Sequence, residues 1–355
     1  MQTFKCDYCA QLLFFENNLC IRCGHLLGFS IEEGDVLSLK PSNDSSDRYV
    51  DVSDPDGAQY RLCQNSIKLN ACNWLIPANE PDEYCMSCRL TDILPPIQDE
   101  TRRIQWVKVE TAKRRLLYTL IDLGLPVPSR AENPELGLAF RFEESTPEKQ
   151  VYTGHASGII TLNMAEANAS FRENAREKLG EVYRTVLGHL RHECGHYYWE
   201  LLVLPSEKWL PIAREVFGDE TVSYKDAIER HYANGAPENW TDSYISAYAT
   251  MHPWEDWAET WAHYLHMLDT LDTAASYDLV VKSPSTKGKN RRFKTTMRHH
   301  QNFDKLFEMW YSLTFVINGL SRSMGMPDSY PFVISKTVKE KLRLVHNIVS
   351  DLSKN

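Results

Sequence analysis

Residues 175–203 read AREKLGEVYRTVLGHLRHECGHYYWELLV, and this stretch determines what the rest of the chain is built around. Its apolar residues recur at helical spacing, so we predict one long helix over about 174–203. An H-E-x-x-H pattern lies inside it, formed by His192, Glu193 and His196. Residues four apart share one face of a helix, so both imidazoles can reach the same metal ion. Glu193 would lie beside them as the general base.

A catalytic zinc site needs a third protein ligand and one open position. The segment MHPWEDWAETWAHYLHML, residues 251–268, predicts another helix that begins at Pro253. Glu255 and Glu259 share one face of this helix, and acids beside tryptophans are costly unless a cation neutralises them. We assign Glu255 as the third ligand and Glu259 as the acceptor that orients one imidazole. The reverse assignment stays open.

Eight of the nine cysteines lie in the first 88 residues, as C-x2-C-x10-C-x2-C and then C-x8-C-x12-C-x2-C. Zinc prefers four thiolates in a tetrahedron, and a Cys-x-x-Cys knuckle directs two sulfurs at one ion. The pattern predicts two structural zinc sites, in addition to the catalytic one. The first comprises Cys6, Cys9, Cys20 and Cys23, and the second comprises Cys63, Cys72, Cys85 and Cys88.

Disulfides or free thiols are the alternatives, and they weigh more for the second group because it has only one knuckle. His25 could replace a cysteine, but with four thiolates available we expect it to be a bystander. A closed four-thiolate site has no open position for a substrate. We therefore expect the cysteine-rich segment to be folded by zinc and to play no part in the chemistry.

The length of 355 residues and the ordinary composition favour two domains of an α+β protein. We predict a zinc-ribbon domain at 1–95 and a mainly α-helical metallopeptidase domain with a small sheet at 101–355. A linker is expected at 91–100 and a helix at 101–123. GIITLN, at 158–163, is expected to be a strand whose edge could pair with an extended peptide. The basic tract at 282–294 is expected to be a mobile loop.

Charge and hydropathy exclude several classes of protein. Residues 1–99 hold 7 Lys and Arg against 15 Asp and Glu, a net charge of −8 out of −9 for the chain. Nucleic-acid affinity depends on Lys and Arg, so we expect no nucleic-acid partner. No apolar run is long enough for a membrane helix and no signal peptide is visible. We expect a cytoplasmic protein without a membrane partner.

Long segments of the chain resemble a bacterial family of zinc-binding metallopeptidases with an N-terminal zinc ribbon. They include CNWL, YCMSCRL, AKRRLLYTLIDLGLP, YRTVLGHLRHECGHYYWELL, SAYATMHPWEDWAETWAHYLH and NGLSRSMGMPDSYPF. The active-site segments also resemble the gluzincins, in which the first Glu of an E-x-x-x-[DE] segment is a zinc ligand. That resemblance implies that Glu255 is the zinc ligand and that Glu259 orients one imidazole. Tyr248, seven residues before Glu255, has the spacing of the tyrosine that stabilises the oxyanion in lethal-factor-type gluzincins.

The predicted function is therefore zinc-dependent hydrolysis of peptide bonds in a peptide or protein substrate. Zinc on His192, His196 and Glu255 would activate a water molecule, Glu193 would accept its proton, and Tyr248 would stabilise the oxyanion. The alternative is a binding protein, whose ribbon recruits a protein partner and whose HExxH domain is catalytically idle. A retained Glu193 favours the enzyme.

Overall fold

The structure is a computed structural model that describes residues 2–43, 45–282, 290–292 and 302–352. A cysteine-rich part made of short strands comes first, and a largely helical part with a small sheet follows it, as predicted. Most of the basic tract predicted as a loop lies outside the described residues. Its remaining residues contribute to a two-stranded hairpin of β12 (Val280–Lys282) and β13 (Asn290–Arg292).

The cysteine-rich part contains seven strands and two short helices. The strands are β1 (Phe4–Lys5), β2 (Leu12–Leu13), β3 (Leu26–Ser30), β4 (Asp35–Pro41), β5 (Tyr49–Asp51), β6 (Gln59–Leu62) and β7 (Leu75–Pro77). The helices are α1 (Gln64–Leu69) and α2 (Met86–Arg89). Strands β3 to β7 pair antiparallel in sequence order. A bridge between Phe29 and Trp74 joins β3 to the start of β7, so this sheet curls until its two ends meet.

A second sheet connects the two parts of the chain. Its strands are β8 (Thr91–Ile93), β9 (Ala139–Glu143), β10 (Gly154–Ala156) and β11 (Ile159–Asn163), in the order β10-β11-β9-β8. The prediction of a linker over 91–100 is therefore wrong at its start, because β8 pairs with β9. The strand predicted at 158–163 forms, but it lies between β10 and β9. The edge strands of this sheet are β10 and β8, and β11 is internal.

The single helix predicted over about 174–203 is two helices and a π-helical turn. Helix α4 (Ala169–Leu179) ends at Gly180, whose φ of +65° is left-handed. Helix α5 (Val186–Tyr198) begins again after Thr185, whose side chain accepts a hydrogen bond from Gly188 N. The π-helical turn follows at Trp199–Val203. Between the helices, Arg184 forms ion pairs with two acids, which hold the chain in the turn that Gly180 and Thr185 begin and end.

The described residues form six further helices, two of which pack directly on α5. They are α3 (Glu100–Asp122), α6 (Trp209–Phe217), α7 (Tyr224–Asn234), α8 (Pro253–Ser276), α9 (Phe303–Ser323) and α10 (Lys336–Leu352). The helix predicted at 101–123 is confirmed as α3, and α8 begins at Pro253 as predicted. A hydrophobic core runs from the cysteine-rich part through α3 to α5 and α8. The second part is thus built around the helix that carries the HExxH pattern.

Candidate metal centre

Helix α5 presents both histidines of the HExxH pattern to one point. The Nε2 atoms of His192 and His196 lie 3.2 Å apart. The residue between them that faces the neighbouring helix is Gly195, where a Cβ atom would lie 2.9 Å from Ala258 Cα. A side chain at that position would push α8 away. The glycine therefore allows the two helices to approach closely beside the histidines.

Helix α8 brings Glu255 to the same point. The imidazole of His252 accepts a hydrogen bond from Trp254 N and caps the helix, which places Glu255 in its first turn. Trp257 Nε1 then donates to the carbonyl oxygen of Gly195 over 2.8 Å, which fixes α8 against α5. Glu255 is 2 % exposed, so its carboxylate is shielded from water and lies beside two imidazoles.

The three side chains fit a metal ion. Glu255 Oε2 lies 2.9 Å from His192 Nε2 and 3.4 Å from His196 Nε2, without hydrogen-bond geometry. Two nitrogen or oxygen ligands of a tetrahedral zinc ion, each bonded at about 2.0–2.1 Å, lie roughly 3.3–3.4 Å apart. A buried oxygen without a hydrogen-bond partner and two converging ring nitrogens are the donor set of such a site.

The structure brings Glu259 to the other side of His192. The Nδ1 atom of His192 donates to Glu259 Oε1 over 2.7 Å, while its Nε2 atom faces Glu255. Burial opposes ionisation of Glu259, but the hydrogen bond and charge of His192 lower its pKa to about 2. For Glu255, burial is likewise outweighed by His196 and His192, which lower its pKa well below the usual range. The positions of the two acids agree with the assignment made from sequence.

Glu193 lies beside the ligands and is buried, with 8 % of its surface exposed. Burial raises its pKa, against the opposing charges of His192 and His196. A carboxylate whose proton affinity has been raised accepts a proton more readily near neutral pH. This residue can therefore act as a base at the centre.

Two tyrosines also reach the centre, Tyr248 and Tyr224, and only Tyr248 was expected from the sequence. The ring of Tyr248 lies 6.0 Å from that of His192. Tyr224, at the start of α7, donates its hydroxyl to Glu255 Oε1 over 2.9 Å and is hydrogen-bonded to Tyr248. Burial and the charge of Glu255 raise the pKa of both hydroxyls, so both remain protonated donors. No spacing rule connects Tyr224 to a glutamate 31 residues later, so no sequence pattern points to it.

Two further aromatic residues close the other side of the centre. Trp254 packs against His196 in a tilted arrangement, with 4.0 Å between the ring centroids. His155, on the free-edge strand β10, lies 6.5 Å from both His196 and Trp254. Burial lowers the pKa of His155 to about 3, so its ring is neutral. A lone histidine in a short polar strand could not be recognised as part of this site from the sequence.

Both groups of four cysteines converge as predicted. The sulfur atoms of Cys72 and Cys85 lie 3.6 Å apart, as do two pairs in the first group. Thiolates bound to zinc at about 2.3 Å lie roughly 3.8 Å apart, so each group fits a metal ion. All nine cysteines are free, which removes the disulfide alternative from this structure. The ring of His25 packs against Tyr8, and its Nδ1 atom lies 3.3 Å from Cys23 Sγ.

The second group of cysteines is buried against α3. The guanidinium of Arg114, which is 4 % exposed, donates to the carbonyl oxygen of Ala71 over 2.7 Å. Burial would lower its pKa, but the negative charges of Cys72 and Glu110 outweigh burial and raise it. Next to it, the ammonium of Lys113 donates to the carbonyl oxygen of Ser87, inside the Cys85–Cys88 knuckle. A buried cation therefore stands behind this thiolate group.

Among the described residues, no helix is both long and apolar enough to cross a membrane.

Comparison with known proteins gives consistent matches over nearly the whole chain. Residues 102–348 match a protein family described as "Putative zinc-binding metallo-peptidase", and residues 3–99 match a zinc-ribbon domain. The chain is 40% identical over 353 residues to uncharacterized proteins of Mycobacterium bovis and of two Mycobacterium tuberculosis strains. These matches cover 99% of this chain and 96% of each relative. No solved structure gives a significant match. With the match to the helical part and the relatives of almost equal length, the chain belongs to this family of zinc-binding metallopeptidases and carries the zinc ribbon at its N-terminus.

Proposed function

We propose that the protein is a zinc-dependent peptidase of gluzincin type, which hydrolyses peptide bonds at the centre between α5 and α8. The observation that carries the proposal is the convergence of His192, His196 and Glu255, with the buried Glu193 beside them. Zinc held there would supply a Lewis acid that acidifies water and polarises the scissile carbonyl. The two four-cysteine groups would hold the structural zinc ions.

The chain's own residues supply the remaining chemistry. Glu193 would take a proton from the attacking water and pass it to the leaving amine. Tyr248 would turn its hydroxyl from Tyr224 to the oxyanion that develops on the scissile carbonyl. Glu259 and Tyr224 would hold the imidazole of His192 and the carboxylate of Glu255 in place through the hydrogen bonds described above.

An extended peptide could bind along β10. The order of the strands favours β10 over β11 for this role. Strand β10 lies at the edge of the sheet next to His196, whereas β11 lies inside the sheet. A peptide that pairs with such an edge is held by main-chain hydrogen bonds, so its scissile bond can be aligned without a large side-chain pocket. We therefore expect peptides of four or more residues to be better substrates than dipeptides.

The test compares hydrolysis of a broad peptide mixture, followed by mass spectrometry, for the wild type, Glu193→Gln and the control Glu207→Gln. Glu207 is exposed and lies after the π-helical turn. We expect Glu193→Gln to lower kcat/KM by about 10²–10⁴-fold, because a general base contributes that much. Zinc content and thermal stability should not change, and the control should match the wild type.

Full activity in Glu193→Gln would remove Glu193 as the base. No hydrolysis by the zinc-loaded wild type would favour the competing view, in which the HExxH domain is idle and the ribbon recruits a protein partner.

A further inference from the structure

The side of the centre around His196 contains buried polar atoms that have no hydrogen-bond partner among the described residues. They are His155 Nδ1, His196 Nδ1 and Glu200 Oε2. Most buried polar atoms in proteins are hydrogen-bonded to protein or to ordered water. Three such atoms around one imidazole therefore call for a common explanation.

These atoms belong to neighbouring side chains. Glu200 follows His196 by four residues, so it continues the face of α5 that carries the histidines. It lies on the π-helical turn Trp199–Val203, and such turns occur frequently at functional sites. His155 stands next to both, with its ring 6.5 Å from that of His196 and its Nε2 atom 3.9 Å from Glu200 Oε2.

The hydrogen-bonding roles of the three atoms are complementary. His155 Nε2 accepts a hydrogen bond from Gly158 N over 3.1 Å, so its proton is on Nδ1. His196 directs Nε2 to Glu255, which leaves Nδ1 as its N–H group. Both unpartnered imidazole atoms are thus donors, and Glu200 is a carboxylate acceptor with a free oxygen. One ordered water placed among these neighbouring side chains would satisfy all three atoms, because a buried water makes two to four hydrogen bonds.

The second ring nitrogen of His192 has the protein partner that His196 lacks among the described residues. His192 donates its Nδ1–H directly to Glu259 over 2.7 Å. Histidines that bind metal almost always donate their second N–H to a carboxylate, a carbonyl or a water molecule, because this fixes the ring and its tautomer. His196 has no such protein acceptor among the described residues.

We propose that Glu200 is the positioning residue for His196: its carboxylate holds the Nδ1–H of that imidazole through an ordered water, which His155 also contacts. The inference rests on the metal site of the proposed function but not on hydrolysis. Glu200 acts through His196 and does not touch the substrate. The two histidines are then supported differently, His192 directly from α8 and His196 through water from its own helix.

The test measures zinc affinity at the third site by competition with a chelator, in the full-length protein with both four-cysteine sites loaded. Variants Glu200→Leu and Glu200→Gln are compared with the wild type and with the control Glu207→Leu. We expect Glu200→Leu to weaken binding of the third zinc by about 10–100-fold, as the loss of such a supporting group does. Glu200→Gln keeps an acceptor oxygen and should lie between the leucine variant and the wild type.

Thermal unfolding of the protein without the third zinc separates positioning from a structural role. Glu200 is partly exposed, and Glu200→Leu loses only a hydrogen bond made through water, so we expect its Tm without the third zinc to change little. A lower Tm with unchanged zinc affinity would overturn the proposal. Unchanged affinity in Glu200→Leu would also overturn it and leave the peptidase proposal standing, whereas a wild type without a third zinc would contradict both.

Discussion

Two buried candidate metal sites, among the residues that the structure describes, are backed by opposite charges. Behind the thiolates of Cys63, Cys72, Cys85 and Cys88 stands the buried guanidinium of Arg114. Behind the imidazoles of His192 and His196 stands the carboxylate of Glu259, hydrogen-bonded to His192. Four thiolates around a zinc ion leave a net charge of about −2, whereas two imidazoles and one carboxylate leave about +1. Each site is therefore supported by the charge that its own ligands require.

This difference separates the expected roles of the two sites. A closed site of four thiolates has no open position for a further ligand, and it is suited to holding a fold together. A site of three protein ligands would leave one position open for a polarised carbonyl oxygen or hydroxide. The first group of cysteines is a third case, because Cys9 and Cys23 are only partly buried and water can reach them.

The largest effect should follow from breaking the buried thiolate site. We expect Cys85→Ser to prevent stable folding of both parts, because zinc binding to such a site is worth about 10–16 kcal/mol and total stability is about 5–15 kcal/mol. Cys9→Ser, in the partly exposed site, should lose one zinc ion while α3 and α5 stay folded. Circular dichroism and limited proteolysis check both variants. A Cys85→Ser protein as stable as Cys9→Ser would show that burial does not distinguish the two cysteine sites.

A smaller effect should follow from removing the cation. Arg114→Met leaves the buried thiolates without their counter-charge, and breaking a buried charge pair costs about 3–5 kcal/mol. Arg115→Met is the matched control, since Arg115 is 43% exposed and its ion pair with Glu16 is at the surface. Exposed pairs contribute about 0–1 kcal/mol. Denaturant unfolding measures both values, and equal losses would contradict the role given to Arg114.

The smallest effect should follow from Glu259→Gln, because the amide oxygen can still accept a hydrogen bond from His192 Nδ1. We expect affinity for the third zinc to fall by about 10-fold, at the lower end of what the loss of such a partner costs, with the stoichiometry unchanged. Glu259→Ala should cost up to about 100-fold. Chelator competition provides the measurement. Complete loss of the ion in Glu259→Ala, with retention in Glu255→Ala, would reverse the two acids.

The sequence predicted those parts of the fold and site that depend on local spacing. His192 and His196 share a face because they are four residues apart, and Glu255 shares one with Glu259 for the same reason. The cysteine knuckles are equally local. Helix α3 and the start of α8 at Pro253 followed from periodicity and capping, which depend on near neighbours only.

The parts that were missed depend on contacts between distant residues. The turn between α4 and α5 has local signals in Gly180 and Thr185, but it is held by an ion pair of Arg184 with Glu166, which lies outside both helices. The edge position of β10 is decided by how β9 and β11 pair, and periodicity does not encode the order of strands. Tyr224 and His155 reach the centre from elements whose own sequences carry no metal-site pattern. Such residues can be found only after the fold is known.

We expect a zinc ion on His192, His196 and Glu255 that is distinct from the two ions in the cysteine groups. Elemental analysis of zinc per chain, on purified wild type and Glu255→Ala after removal of loosely bound metal, tests it most directly. We expect three zinc ions per chain in the wild type and two in Glu255→Ala, with the fold of the variant unchanged. Two in the wild type, or the same number in both proteins, would contradict it.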